Sequence, residues 1–125
     1  MQGNTFREAL LVGLGAALGA LLRAALDGLS YLLLLFGVFA DSAVAVTLGI
    51  NAIGAFAMGY FKPGVFLGTG FLGGFTTFSA MAVAAVHGSA IFALGLVITS
   101  FIVCVGAWLL ADAVSPRPYR NQTRN

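Results

Sequence analysis

Residues 65–111 contain no Asp, Glu, Lys or Arg. A hydrocarbon core roughly 30 Å thick is crossed by about 20 apolar residues in a helix, so this stretch is too long for one crossing and too short for three. It divides at His87-Gly88-Ser89 into spans over 65–86 and 90–111. The same arithmetic finds two spans upstream, over 7–26 and 42–61, and Lys62-Pro63-Gly64 supplies a tight turn before the third. Of the 125 residues, 60% are hydrophobic and 8% charged, too few charges to cover the surface of a water-soluble domain. The expected fold is an all-α membrane protein with one four-span unit over 1–114 and a polar, mobile tail over 115–125.

The apolar piece Leu29 to Ala40, fenced by Asp27 and Asp41, is too short for a fifth crossing. It reads as an interfacial or re-entrant piece or as an extension of the second helix, and the sequence leaves these open. With four spans, Arg7, Lys62, Arg117, Arg120 and Arg124 fall on one side, and Asp27, Asp41 and His87 on the other. The positive-inside rule then places both termini in the cytoplasm of a cell bounded by the plasma membrane. Arg23, near the far end of the first span, is expected to snorkel to the interface. The long first apolar stretch reads as a membrane span and not as a cleaved signal peptide.

Enzymatic readings fail on the residues. Glu8, Asp27, Asp41 and Asp112 are dispersed and sit at span ends, a poor basis for acid–base chemistry. His87 reads as a solvated loop residue, and the single cysteine, Cys104, has no neighbouring His or acid with which to form a metal site or catalytic pair. The glycines between Gly13 and Gly19 lack the preceding strand and the spacing of a dinucleotide site; Gly15 and Gly19 instead form a GxxxG packing face. The basic tail reads as a membrane-side anchor and not as a nucleic-acid site, and the sequon at Asn121 falls in that cytoplasmic tail.

What remains is a polar set at membrane depth, where uncompensated polar groups are costly enough to point to function. Asn51 lies near the middle of the second span, and Gly70-Phe71-Leu72-Gly73-Gly74-Phe75-Thr76-Thr77-Phe78-Ser79 in the third. Paired glycines weaken a helix and hydroxyls bond freed carbonyls, which predicts a break near Gly73-Gly74. Such a break offers backbone oxygens suited to an alkali cation. The commoner use of these residue types is packing for glycine and back-bonding to the same helix for hydroxyls.

The segment Gly70 to Ser79 resembles the signature of the Fluc/CrcB fluoride channel family. Gly-Ala-Leu-Leu-Arg ending at Arg23 and Asn-Ala-Ile-Gly from Asn51 to Gly54 agree with that family in order. The resemblance implies a channel for passive fluoride exit, built as an antiparallel, dual-topology dimer with two pores. It implies that Asn51 lines the pore and that the ring edge of Phe78 contacts the anion. It also implies a structural sodium ion, Na⁺, at the dimer centre, on the carbonyls of Gly73 and Thr76. Thr77, Ser79 and Met81 fall on the same fluoride pathway, with Arg23 and Ser100 as further candidates. Ring edges and amide N–H groups carry partial positive charge, so they replace water around a small anion without trapping it.

The chain departs from the family at Ala80-Met81, where Thr-Phe is usual, so a second ring and one hydroxyl are missing. Its spacing from Arg23 to Asn51 is also longer. An antiparallel dimer needs one subunit inserted each way, and the Lys/Arg bias of this chain favours one orientation. The expected assembly in the lipid bilayer is therefore a dimer with a paralogous subunit of opposite orientation, against the alternative of a dimer with itself. Two other functions compete: a proton-coupled exporter of the small multidrug-resistance type, which needs a membrane-embedded carboxylate, and an accessory subunit without transport activity of its own.

Overall fold

A computed structural model describes residues 2–37 and 43–116, which are mostly helical, with short non-helical connections and no strand among them. Four stretches are long and apolar enough to cross a membrane: Asn4–Leu32, Val44–Phe61, Phe66–His87 and Ala90–Val114. The elements in chain order are α1 (Gln2–Leu35), α2 (Ala43–Phe61), a π-helical segment (Phe66–Leu72) that runs into the single turn α3 (Gly73–Phe75), α4 (Ser79–His87) and α5 (Ala90–Val114).

The first helix is longer than the expected 7–26. Asp27, read from the sequence as the end of a span, lies inside α1 because Arg23 one turn earlier neutralises it, Nε to Oδ2 at 2.9 Å. Ser30 donates to the carbonyl of Leu26 at 2.8 Å and the helix continues. Residues 29–35 thus extend α1, which corrects the reading of this part of the Leu29 to Ala40 piece as an extension of the second helix; residues 38–40 of the piece lie outside the described residues. The helix closes where the N–H of Gly37 bonds the carbonyl of Leu34 at 3.0 Å. Gly37 has φ +71°, a left-handed conformation that a glycine adopts without a Cβ clash. Residues 38–42, Asp41 included, and the tail over 117–125 with its arginines lie outside the described residues.

The helices pack as two parallel pairs. Gly59 of α2 approaches Ala111 Cβ of α5, where an added Cβ would come within 3.0 Å. Lys62 just beyond α2 binds Asp112 Oδ1 at 2.7 Å, and Ser115 donates to the carbonyl of Tyr60 at 2.7 Å. The ends of α2 and α5 are therefore together. Pro63 cannot continue α2, and Lys62 turns the chain with φ +43°.

The other pair is α1 with the π-helical segment and α3. A Cβ at Gly15 would strike the carbonyl oxygen of Phe66 and come within 2.9 Å of Phe71 N, and one at Gly19 would strike Phe71 O and come within 2.8 Å of Phe75 N. Gly15 and Gly19 thus let the backbone of α1 lie directly against that of residues 66–75. Gly70 N–H bonds Val65 O, five residues back, at 2.9 Å. Asn4 and Arg7 share a groove with Gly64 and Val65, so the start of α1 meets the end of the bundle that holds Lys62.

Little of the chain is buried within itself. Ile50, Phe75, Met81, Leu96 and Ala111 form the small interior, while Leu14, Leu21, Phe101, Ile102 and Leu110 are exposed. That inversion of a soluble fold is what a lipid-facing surface requires.

Candidate functional site

The third span is helical on both sides of residues 76–78. Thr76 is extended, with φ −82° and ψ 150°. Gly73 and Gly74, where the sequence predicts the break, are helical, Gly73 with φ −64° and ψ −39°. The reason is packing. A Cβ at Gly74 would strike Ala16 O of α1, so this glycine serves close approach while its backbone stays regular.

The departure from helix comes from competition for one amide. In an α-helix the N–H of Thr77 bonds the carbonyl of Gly73. Here it donates to Asn51 Oδ1 at 2.9 Å, and Asn51 Nδ2 donates to the Thr77 carbonyl at 2.8 Å. The Asn51 side chain thus pairs with both backbone polar groups of Thr77, which belong to the two successive peptide units flanking its Cα, and deprives Gly73 O of its helical donor. Thr76 O loses its donor in the same way, because Ala80 N–H leans towards Thr77 Oγ1, at 3.5 Å. Thr77 Oγ1 lies 2.8 Å from Ser79 Oγ, and Thr76 Oγ1 donates to Leu72 O at 3.0 Å.

This feature sits at mid-span. The middle of Phe66–His87 falls between Thr76 and Thr77, and Asn51 lies within two residues of the middle of Val44–Phe61. Two grooves meet it. One, of about 480 Å³, is lined by Asn51, Thr76, Phe78, Met81, Ser100 and Cys104 among others. The second, of about 370 Å³, is lined by Arg23, Asp27, Thr76, Thr77 and Ser79 among others. Thr76 and Thr77 belong to both.

The expected pathway residues differ in exposure. Phe78 is 70% exposed, its ring on the outside of the protomer, whereas Met81 is 3% exposed and packed inside. Asn51 is 9% exposed. Ser100 lines the first groove, but its hydroxyl is back-bonded to Leu96 O at 2.7 Å.

Arg23 does not snorkel. The middle of Asn4–Leu32 falls at Leu18, so Arg23 lies about 7 to 8 Å beyond it along the helix. Its side chain is 7% exposed; Nη2 donates to Thr47 Oγ1 at 3.0 Å and Nε to both oxygens of Asp27. Sequence reasoning missed Thr47 and the role of Asp27. The signal was there: Arg23 and Asp27 are four apart, and Thr47 is one turn before Asn51 on the same helix. Among the described residues no group of three or more His, Cys, Asp or Glu could hold a metal ion. A cation here would depend on backbone oxygens, and the carbonyls of Gly73 and Thr76, stripped of their helical donors, are of the right chemistry.

Residues 10–111 match the family model described as CrcB-like protein, Camphor Resistance (CrcB). A Corynebacterium diphtheriae protein named fluoride-specific ion channel FluC 1 is 45% identical over 105 residues, covering 84% of this chain and 95% of its own length. A Corynebacterium glutamicum protein of the same name is 44% identical over 108 residues, covering 86% and 94%. A Corynebacterium efficiens fluoride-specific ion channel FluC is 43% identical over 105 residues, covering 84% and 69%. No solved structure matches the chain. With a helical membrane fold and a family match that runs from the first span to the end of the last, the chain belongs to the CrcB-like family.

Proposed function

We propose that this chain is a pore-forming subunit of a passive, fluoride-selective channel in the plasma membrane, which lets fluoride leave the cytoplasm and so reduces its toxicity. The observation that carries the reading is the Asn51–Thr77 clamp, which holds non-helical backbone at mid-span between two grooves. Irregular backbone at that depth is tolerated only where protein encloses it or water reaches it. The names of the corynebacterial relatives support fluoride as the ion. Amide N–H groups, the hydroxyls of Thr77 and Ser79 and the edge of the Phe78 ring replace water around a small anion without a full charge that would hold it.

The functional unit of this reading is an antiparallel dimer. Phe78 is exposed beside polar backbone, which in lipid calls for a covering protein surface. Because residues 76–78 lie at mid-span, an inverted second subunit brings its own equivalent residues to the same depth. A structural Na⁺ fits the centre of that dimer, held by the carbonyls of Gly73 and Thr76, where it would bind the two subunits together. The Lys/Arg bias of the sequence, all towards the end that bears the termini, argues that each chain inserts one way with its termini in the cytoplasm, so the inverted partner is a related chain. The proton-coupled exporter has less support: of the two acids in α1, Glu8 lies near the start of the helix and Asp27 is paired with Arg23.

The test is fluoride efflux from proteoliposomes, with the chain alone and with its cognate partner. Efflux with the partner, and less without it, is expected. No fluoride flux in either preparation refutes the channel reading, and full flux from the chain alone refutes the need for a related partner.

A further inference from the structure

Arg23 is an ion buried at membrane depth whose three nitrogens are treated unequally. Nε is bound by both oxygens of Asp27 at 3.0 and 2.9 Å and Nη2 by Thr47 Oγ1 at 3.0 Å. Nη1 is buried and has no hydrogen-bond partner among the described residues. An unmet guanidinium donor is costly, and since protein closes Nη1 off, Arg23 acts on the groove through its charge. Arg23 and Asp27 both line the groove that holds Thr76, Thr77 and Ser79, and Asp27 is the one acid among the described residues lining it. The Asp27 side chain is half exposed there.

A guanidinium alone in such a site would hold a counter-ion firmly, since charge–charge attraction is strong where water is scarce. Paired with a carboxylate, it carries no net charge. We propose that Asp27 is the residue that sets how tightly the groove holds a small monovalent anion. By neutralising Arg23, it keeps the anion's stay short enough for release. Conduction needs that balance, because a site that binds too well stops the flow. This role rests on the reading of the groove as part of the fluoride path, and Asp27 acts through Arg23 as a positioning residue.

The experiment measures two quantities on the full chain with its partner. Fluoride-dependent shifts of the melting temperature in detergent give anion affinity without any need for conduction, and initial efflux rates against fluoride concentration give half-saturation and maximum flux. Asp27→Asn is expected to lower the half-saturating fluoride by at least about tenfold in both assays and to reduce the maximum flux. Asp27→Glu, which retains the charge, is expected to stay near the parent. Thr47→Val, which frees a donor without changing charge, is expected to shift affinity far less than Asp27→Asn. Asp27→Ser carries the same prediction as Asp27→Asn and decides the matter where the latter does not fold. Unchanged half-saturation in Asp27→Asn, or a lower maximum flux alone, overturns the proposal. A parent that binds fluoride with the predicted dependence on Asp27 but passes none supports it while ending the channel reading.

Discussion

The side-chain amide of Asn51 takes both backbone polar groups of Thr77, accepting from its N–H at 2.9 Å and donating to its carbonyl at 2.8 Å. A side chain on the second span thereby fixes the backbone of the third at the point where the helix is interrupted. The link runs from one residue type to local structure and then to function: only an amide both donates and accepts in that geometry.

Replacing Asn51 tests that link. Asn51→Leu leaves two buried backbone groups unmet, a cost of about 1 to 3 kcal/mol each, and fluoride efflux should fall at least about tenfold. Asn51→Asp keeps the acceptor for Thr77 N–H but removes the donor and adds a negative charge near the path. It should lose more flux than Asn51→Leu at similar or smaller loss of melting temperature. Efflux and thermal melting of the two variants side by side check this.

The two adjacent glycines should behave differently. A Cβ at Gly74 would strike Ala16 O, while one at Gly73 meets nothing within 4 Å inside the protomer. Gly74→Val should therefore disrupt the packing of α1 on the third span, at a cost of about 1 to 3 kcal/mol or more. Gly73→Val should leave the protomer folded and weaken the dimer. Thermal melting and cross-linking of both variants separate the effects. A Gly73→Val protein that dimerises and conducts like the parent contradicts the proposed sodium site.

How far the sequence carries depends on what each feature competes with. The division at Gly88 and Ser89 is local chemistry: Ser89 Oγ accepts from Phe92 N–H at 3.2 Å and starts α5. Asn51 and the stretch from Gly70 to Ser79 stand out in the sequence because polar groups and glycine pairs are set against an apolar background, and the structure brings Asn51 to Thr77. The position of the break could not be read there, since it is set by Asn51, far away in sequence, and not by the weakness of Gly73-Gly74. The length of α1 was hidden for a similar reason. Asp27 reads as a boundary until Arg23 is known to neutralise it within the helix. The π-helical segment from Phe66 to Leu72 packs on the glycine face of α1, a contact no local propensity encodes.

The Lys62–Asp112 pair joins the ends of α2 and α5 at 2.7 Å, with Asp112 about one-third exposed. Fully exposed pairs contribute about 0.2 to 1 kcal/mol, and with the Lys62 side chain 18% exposed this part-buried pair belongs at the upper end of that range. Lys62→Ala should lower the melting temperature by a few degrees at most and leave the halide selectivity of efflux unchanged. A large change in selectivity would show that this end of the bundle does more than hold the helices together.

The proposed orientation rests on the Lys/Arg bias of the sequence. A compartment-sensitive reporter at the C-terminus of the chain expressed alone should report a cytoplasmic location in nearly all molecules. Equal populations in both orientations, together with normal flux, would refute the requirement for a related partner of opposite topology.

The most direct measurement is ion-selective-electrode recording of fluoride and chloride efflux from liposomes that hold the chain and its partner, with no pH gradient and the membrane potential short-circuited. The account predicts rapid fluoride loss down its own gradient and little chloride loss. Fluoride loss that requires a proton gradient, or equal loss of both halides, would contradict it.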